Sequence, residues 1–329
     1  MFARNIFPIL LIIPFVLARS LAAQRTGAAG SFANVAERSR HLADAGKWDE
    51  AKTILGDQLT QTKDAAQAAR LKAELAHLEA DRNTYFHKNE PSLLAALEEG
   101  RAAVQATGDK LALAILEMAE GRFTYWKALD QTNDWGPPTE DFDRGLQIYK
   151  ELGDQVGLGE AVFYRGLVYQ MQEQNLYARE MFVQALGLTE KTGDERMRSF
   201  VLRHIGYLQQ TAREIDAARA NFQKSLQLRQ QNDMKVFVPF ALLALAEFEA
   251  EQKNSAEAIR LVEQAIPLAD SGNSPRALYS AQLTLARWYA DEGKTAKAKQ
   301  LAEQSRAGAE AFGNASDTKK AEDFLREHG

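Results

Sequence analysis

From Gly108 onward, apolar residues recur at three- and four-residue steps, as in Val162, Leu167, Val168 and Met171, then Met181, Phe182, Ala185 and Leu186. That spacing marks one face of a helix. Pairs of turn residues interrupt it at Gly153-Asp154, Gly193-Asp194, Asn232-Asp233, Gly272-Asn273 and Gly313-Asn314. In such a pair Gly or Asn closes one helix in the left-handed conformation, and Asp or Asn caps the next. Between these junctions a shorter polar turn, Gln174-Asn175 or Lys253-Asn254-Ser255, divides each unit into two predicted helices. No stretch alternates with period two between turn residues, so strands are not predicted.

The units are copies. Ala178, Ala218, Ala258 and Ala298 fall at a constant interval of 40 residues. Twelve residues before each stands Gly166, Gly206, Ala246 or Ala286, and seven after each stands Ala185, Ser225, Ala265 or Ser305. Four residues after each is Phe182, Phe222, Val262 or Ala302. Small residues in register let two crossing helices approach closely, so the pattern predicts stacked hairpins sharing one core. The earlier units are less regular. The first, about Ser31 to Lys63, carries Gly56-Asp57 inside its second helix, and the second, Asp64 to Thr107, has a longer turn near Asp81 to Pro91. The third runs 45 residues from Gly108-Asp109 and holds an insertion, Asp130 to Pro138, with Trp135 at its centre. After Asn314 one amphipathic capping helix is expected, with Phe324 and Leu325 inward.

These columns resemble the tetratricopeptide repeat, as does the run Gly46-Lys47-Trp48-Asp49-Glu50-Ala51, similar to that family's turn and second-helix start. The 40-residue interval exceeds the family's usual length of about 34 and looks like its longer-helix variety. HEAT-type repeats share the interval but do not favour this small-residue pattern. The resemblance implies an all-α, right-handed α-solenoid of about seven hairpins over 32–314, closed by a capping helix at 315–329. It also implies a concave groove lined by first helices. Carrying the family's groove positions over gives Met118, Arg122, Tyr125 and Trp126, then Phe163, Leu167, Gln170 and Met171. Further along, it gives Phe200, Arg203, Tyr207 and Gln210, then Phe240, Glu247, Arg287 and Asp291. The Lys/Asn clamp with which some members hold a C-terminal carboxylate is not recognisable.

The start of the chain has another character. Arg4, the apolar stretch Ile6 to Ala18 and the small-residue exit Ser20-Leu21-Ala22-Ala23 read as a signal peptide over 1–23, followed by a Gly/Ala linker over 24–31. The stretch is shorter than the roughly 20 residues that cross a bilayer, which argues against a membrane span once the signal is cleaved. Export to a bacterial periplasm or beyond is expected. Cleavage removes Arg4 and Arg19 and no acidic residue, so the 40 basic and 45 acidic residues become 38 and 45, and the net charge goes from −5 to −7. An acidic chain does not suit phosphate neutralisation, so nucleic acid is not an expected partner.

Candidate chemistry is sparse. With no cysteine there is no disulfide, thiolate metal site or thiol nucleophile. His41, His77, His87, His204 and His328 have no paired metal-ligand spacing, and Gly157-Leu158-Gly159 lacks the third glycine and preceding strand of a phosphate loop. Glu247, Glu249 and Glu251 read as a solvated acidic face. No catalytic residue, cofactor or metal site is therefore expected. The expected function is an exported scaffold binding a protein or peptide segment through Met118, Arg122, Tyr125, Trp126, Phe163, Gln170, Met171, Phe200, Arg203, Tyr207 and Gln210. Trp135 is a further candidate, in the turn-rich loop expected of the insertion. The alternative is a carbohydrate-binding or glycan-processing accessory protein, with Tyr125, Trp126 and Trp135 stacking on sugar rings.

Overall fold

The computed structural model describes residues 28–328. The expected signal peptide lies outside the described residues. Helix α1 starts at Ala28, so the last part of the expected linker, 28–31, is helical instead. The described residues form seven helix pairs: α1 (Ala28–Asp44) and α2 (Trp48–Gln61), α3 (Ala65–Tyr85) and α4 (Glu90–Thr107), α5 (Lys110–Lys127) and α6 (Gly136–Leu152), and α7 (Gln155–Met171) and α8 (Asn175–Thr192). Then follow α9 (Glu195–Thr211) and α10 (Ile215–Gln231), α11 (Val238–Glu251) and α12 (Ser255–Ser271), and α13 (Pro275–Asp291) and α14 (Thr295–Phe312). A last helix, α15 (Ala315–His328), packs on α14 and α13. Each helix packs on the next, and the first helices also pack on one another from pair to pair.

Junction chemistry follows the sequence. Gly153 and Gly193 are left-handed at the ends of α6 and α8, and the Asp154 and Asp194 carboxylates accept backbone N–H bonds from the first turns of α7 and α9. Asn314 does the same for α15. Two junctions differ from expectation. The left-handed residue is Asp233 at one and Asn273 at the other, the second member of each pair, and α11 begins only at Val238.

The small columns are buried and fit aromatic side chains. Ala178, Ala218, Ala258 and Ala298 are at most 1% exposed. A Cβ on Gly166 would lie 2.6 Å from the Phe182 ring, and one on Gly206 would lie 2.9 Å from Phe222. Where the first-helix position carries Ala246 or Ala286, the facing residue shrinks to Val262 or Ala302, both fully buried. The third hairpin keeps this contact across its longer span, with Gly121 against Phe142. Its insertion is not a loop. Residues Ala128–Thr132 continue α5 as a π-helical turn, only 133–135 are non-helical, and Pro137 and Pro138 sit in the first turn of α6. Proline is tolerated there because the first-turn N–H has no helical partner.

The first hairpins of the solenoid return onto its last ones, closing the stack. The Val236 N–H donates to the Asp44 carbonyl at 3.0 Å, and the Lys88 N–H donates to the Phe312 carbonyl at 3.2 Å. Asn273 donates from Nδ2 to the Gly46 carbonyl at 2.9 Å, and Arg276 from Nη1 to the Thr84 carbonyl at 3.1 Å. Gly46 lies so close to the Gly272 backbone that a Cβ would approach its carbonyl oxygen to 2.5 Å. The turns of the first two hairpins therefore rest on the junctions flanking the sixth and seventh pairs.

Candidate functional site

Closure divides the concave side into a sealed part and an open part. The sealed part holds a buried charge network drawn from five hairpins. Arg40 donates from Nε and Nη2 to the two Glu74 carboxylate oxygens at 2.6 and 2.8 Å. Arg122 pairs with Asp81 and Glu160, and His77 Nε2 lies 3.1 Å from Glu160 and 2.7 Å from Arg122. Arg196 donates from Nε to Asp44 at 2.7 Å and lies 3.7 Å from Asp81. Burial alone would raise the Glu160 carboxyl, but His77, Arg40 and Arg122 together hold it well below the usual carboxylate range. At Asp44 burial wins over Arg196, and the carboxyl is raised. This arrangement orders five hairpins about one point, with each guanidinium already paired to a carboxylate.

Aromatic side chains fill the space beside it. Tyr85 meets Phe237 and Phe240 edge-on, with centroids 4.9 and 5.8 Å apart, and the Arg276 guanidinium sits 4.1 Å above Trp126. Six groove candidates, Met118, Arg122, Tyr125, Phe163, Leu167 and Phe200, are buried and offer no surface. Met118 packs into its own hairpin against Gly145. Trp126 and Trp135 are half-buried, and both meet Tyr125 edge-on at 5.5 Å. The Trp135 indole N–H donates to Asn133 Oδ1 at 3.0 Å. These rings pack edge-on into one cluster around Tyr125.

The open part lies toward the C-terminal ends of α9 and α11. A cavity of 420 Å³ there is lined by Tyr207, Gln210, Thr211, Arg213, Glu247 and Glu251. Residues 203, 207 and 210 share one helical face, so Arg203 stands one turn N-terminal to Tyr207 beside the cavity. The Tyr207 ring is held edge-on against Phe222 and His204, with centroids at 5.1 and 5.7 Å. His204 Nδ1–H donates to Gln170 Oε1 at 2.7 Å, and its Nε2 accepts from Arg203 Nη2 at 3.1 Å. Burial, helped by Arg203 and Arg229, pushes the imidazole well below its usual value, so His204 stays neutral. Burial also raises the Glu247 carboxyl, which Arg203 only partly opposes. Of the remaining candidates, Gln170 is occupied by His204, and Met171 is half-buried at the end of α7.

A second cavity, of 460 Å³, lies between α4, α5 and the start of α6. Its charged walls are already paired, Arg101 with Glu120 at 2.6 Å and Thr124 with Asp141 at 2.8 Å. Glu117, Glu120 and Asp141 bring carboxylate oxygens within 4.8 Å of one another, but Arg144 holds both Glu117 and Asp141. Among the described residues no helix is long and apolar enough to cross a membrane.

Sequence reasoning missed Asp44, Asp81, Glu160, Arg196 and Arg229, all inward-facing. The available signal was phase. Glu160 adjoins Ala161 and Val162 in a buried run, and Arg229 follows Phe222, Ser225 and Leu228 on one face.

No protein-family model and no curated protein matches the sequence. Solved structures do resemble it. A Rap protein complexed with Competence and Sporulation Factor is similar with a TM-score of 0.67 at 14% identity, covering 91% of this chain and 87% of that one. Aspartyl phosphate phosphatase F from Bacillus subtilis gives 0.55 at 13% identity, covering 89% and 78%. A tetratricopeptide repeat protein from Parabacteroides merdae gives 0.50 at 14% identity, covering 90% and 98%. Together with the buried Gly/Phe and Ala columns, these likenesses establish that the chain has the tetratricopeptide-repeat fold.

Proposed function

We propose that the protein is an exported scaffold that binds a protein or peptide segment in the α9–α11 cavity, without catalysis. The observation that carries this reading is the cavity itself, whose walls combine a fixed Tyr207 ring with polar groups that lack partners. The Gln210 Oε1 atom is buried with no hydrogen-bond partner, as is Arg203 Nε beside the cavity. Buried polar groups are normally satisfied, and a binding site is where they wait for a ligand. The similar Rap structure is a complex with Competence and Sporulation Factor, which supports a binding role for this architecture. Export rests on the signal-like character of Met1 to Ala23.

The test is comparative capture from the envelope fraction of the host, using wild-type protein and the cavity variants Tyr207→Ala and Glu247→Arg. Wild-type-specific recovery of one partner, lost in both variants, is expected. Equal recovery by all three rejects the cavity as the site. Export is checked separately by fusing residues 1–23 to a reporter that is active only outside the cytoplasm. A silent reporter rejects export.

A further inference from the structure

Arg203 is out of keeping with the other inner-face arginines. Arg40, Arg122 and Arg196 each meet a carboxylate, whereas Arg203 makes no ion pair among the described residues. Its one hydrogen bond goes to the neutral His204 ring, and its Nε is buried without an acceptor. Arg229 lies close enough to add a second like charge. Its side chain is fully buried, donates from Nη1 to the Phe237 carbonyl at 2.8 Å and stacks 4.8 Å from Phe200, while Nη2 has no partner. Two guanidinium groups near one another without a carboxylate form a positive spot inside an acidic protein. Leaving such charge unneutralised in a desolvated place is costly.

The neighbouring carboxylates do not cancel it. Glu247 feels the Arg203 charge but forms no ion pair with it, and Glu251 stands a turn further along α11. The cavity walls thus carry Arg213 beside Glu247 and Glu251, and Arg203 adjoins them one turn toward the N-terminus of α9 from Tyr207. The Gln210 Oε1 acceptor and the Tyr207 hydroxyl, which makes no hydrogen bond among the described residues, line the same cavity. An extended backbone supplies N–H and C=O groups to such partners, and a carboxylate supplies what Arg203 lacks.

Resting on the reading that this cavity binds a peptide segment, we propose that Arg203 is the anchor for a peptide carboxylate, seated beside Tyr207 and Gln210. The anchoring carboxylate belongs either to an Asp or Glu side chain or to a chain terminus.

Three pools of N-acetylated octapeptides, randomised without Asp or Glu, separate these sources. One carries a single central Glu and an amidated C-terminus, one has a free C-terminus and no Glu, and one has neither carboxylate. Affinity selection is run on the full chain, wild type and Arg203→Met. Enrichment of a carboxylate pool by wild type, with about 10- to 100-fold weaker binding to Arg203→Met, is expected. Which pool is enriched identifies the source. Equal binding of the carboxylate-free pool overturns the anchor while leaving the peptide-binding cavity in place, and no binding by any pool overturns both. Denaturant midpoints of the ligand-free proteins give a second readout. An anchor without a native partner predicts that Arg203→Met unfolds at the same or higher denaturant, and a clearly lower midpoint assigns Arg203 a structural role and overturns the proposal.

Discussion

The Gly/Phe fit between hairpin helices gives a prediction with a built-in internal control. Gly166 is buried, and a Cβ there would meet the Phe182 ring at 2.6 Å and Met181 Cβ at 3.1 Å. Overpacking of this kind costs about 1–3 kcal/mol, and replacing a mid-helix glycine by alanine returns about 1 kcal/mol of helix propensity. Gly166→Ala alone is therefore expected to destabilise by up to about 2 kcal/mol. Phe182→Val empties part of a fully buried site and is expected to cost about 2–3 kcal/mol. The double variant reproduces the pair that the sixth hairpin already uses, Ala246 facing Val262. Its new methyl group enters the space vacated by the ring, so the two changes are expected to be less than additive by about 1–2 kcal/mol. The assay is urea unfolding followed by circular dichroism for all four proteins, with m-values compared to check that the transition keeps its character. Additivity within about 0.5 kcal/mol refutes the wedge, because it means the two sites do not share one space.

Three further outcomes follow from other parts of the molecule. Arg196→Met leaves Asp44, 2% exposed, without its 2.7 Å partner, and is expected to cost about 3 kcal/mol at pH 7 with a larger radius of gyration by X-ray scattering; because burial raises the Asp44 carboxyl, the deficit shrinks as the pH falls, and a pH-independent deficit contradicts the role of this pair. His204 is held below its usual pKa of 6.5, so the unfolded chain takes its proton first; stability is full above pH 6.5 and falls by up to about 1 kcal/mol per pH unit as pH drops toward the folded value. His204→Gln removes that slope, and parallel pH profiles for the two proteins rule the coupling out. Lys253 adopts φ 64° at the turn where Gly293 stands in the next unit, so Lys253→Gly is expected to raise stability by about 1 kcal/mol in thermal unfolding, and a lower midpoint refutes the strain.

Most of the fold was legible because it is written in short-range terms. Helix periodicity, capping Asp residues and the 40-residue columns each depend on neighbours within one or two hairpins, and all seven pairs follow from them. Closure was not legible. The contact between Asp44 and Arg196 spans 152 residues, and no local pattern announces it. For the same reason the groove register carried over from the family says nothing of which positions stay accessible. Arg203, Tyr207 and Gln210 line or adjoin the open cavity, whereas Met118, Phe163 and Phe200 are covered by packing that only closure and neighbouring hairpins create. The insertion at Trp135 was read as a loop because its residues favour turns, and the π-helical turn absorbed it instead.

The return contact of the first two hairpins on the last three has a consequence for how the chain tolerates shortening. An open stack loses units from either end with a roughly constant penalty per unit, because each touches only its neighbours. Here, deleting α13 to α15 also removes Arg276 and Phe312, which hold the second hairpin's turn at Thr84 and Lys88, so damage at one terminus is felt at the other. The molecule behaves less like a ladder and more like a keyring, in which no link can be removed without springing the loop.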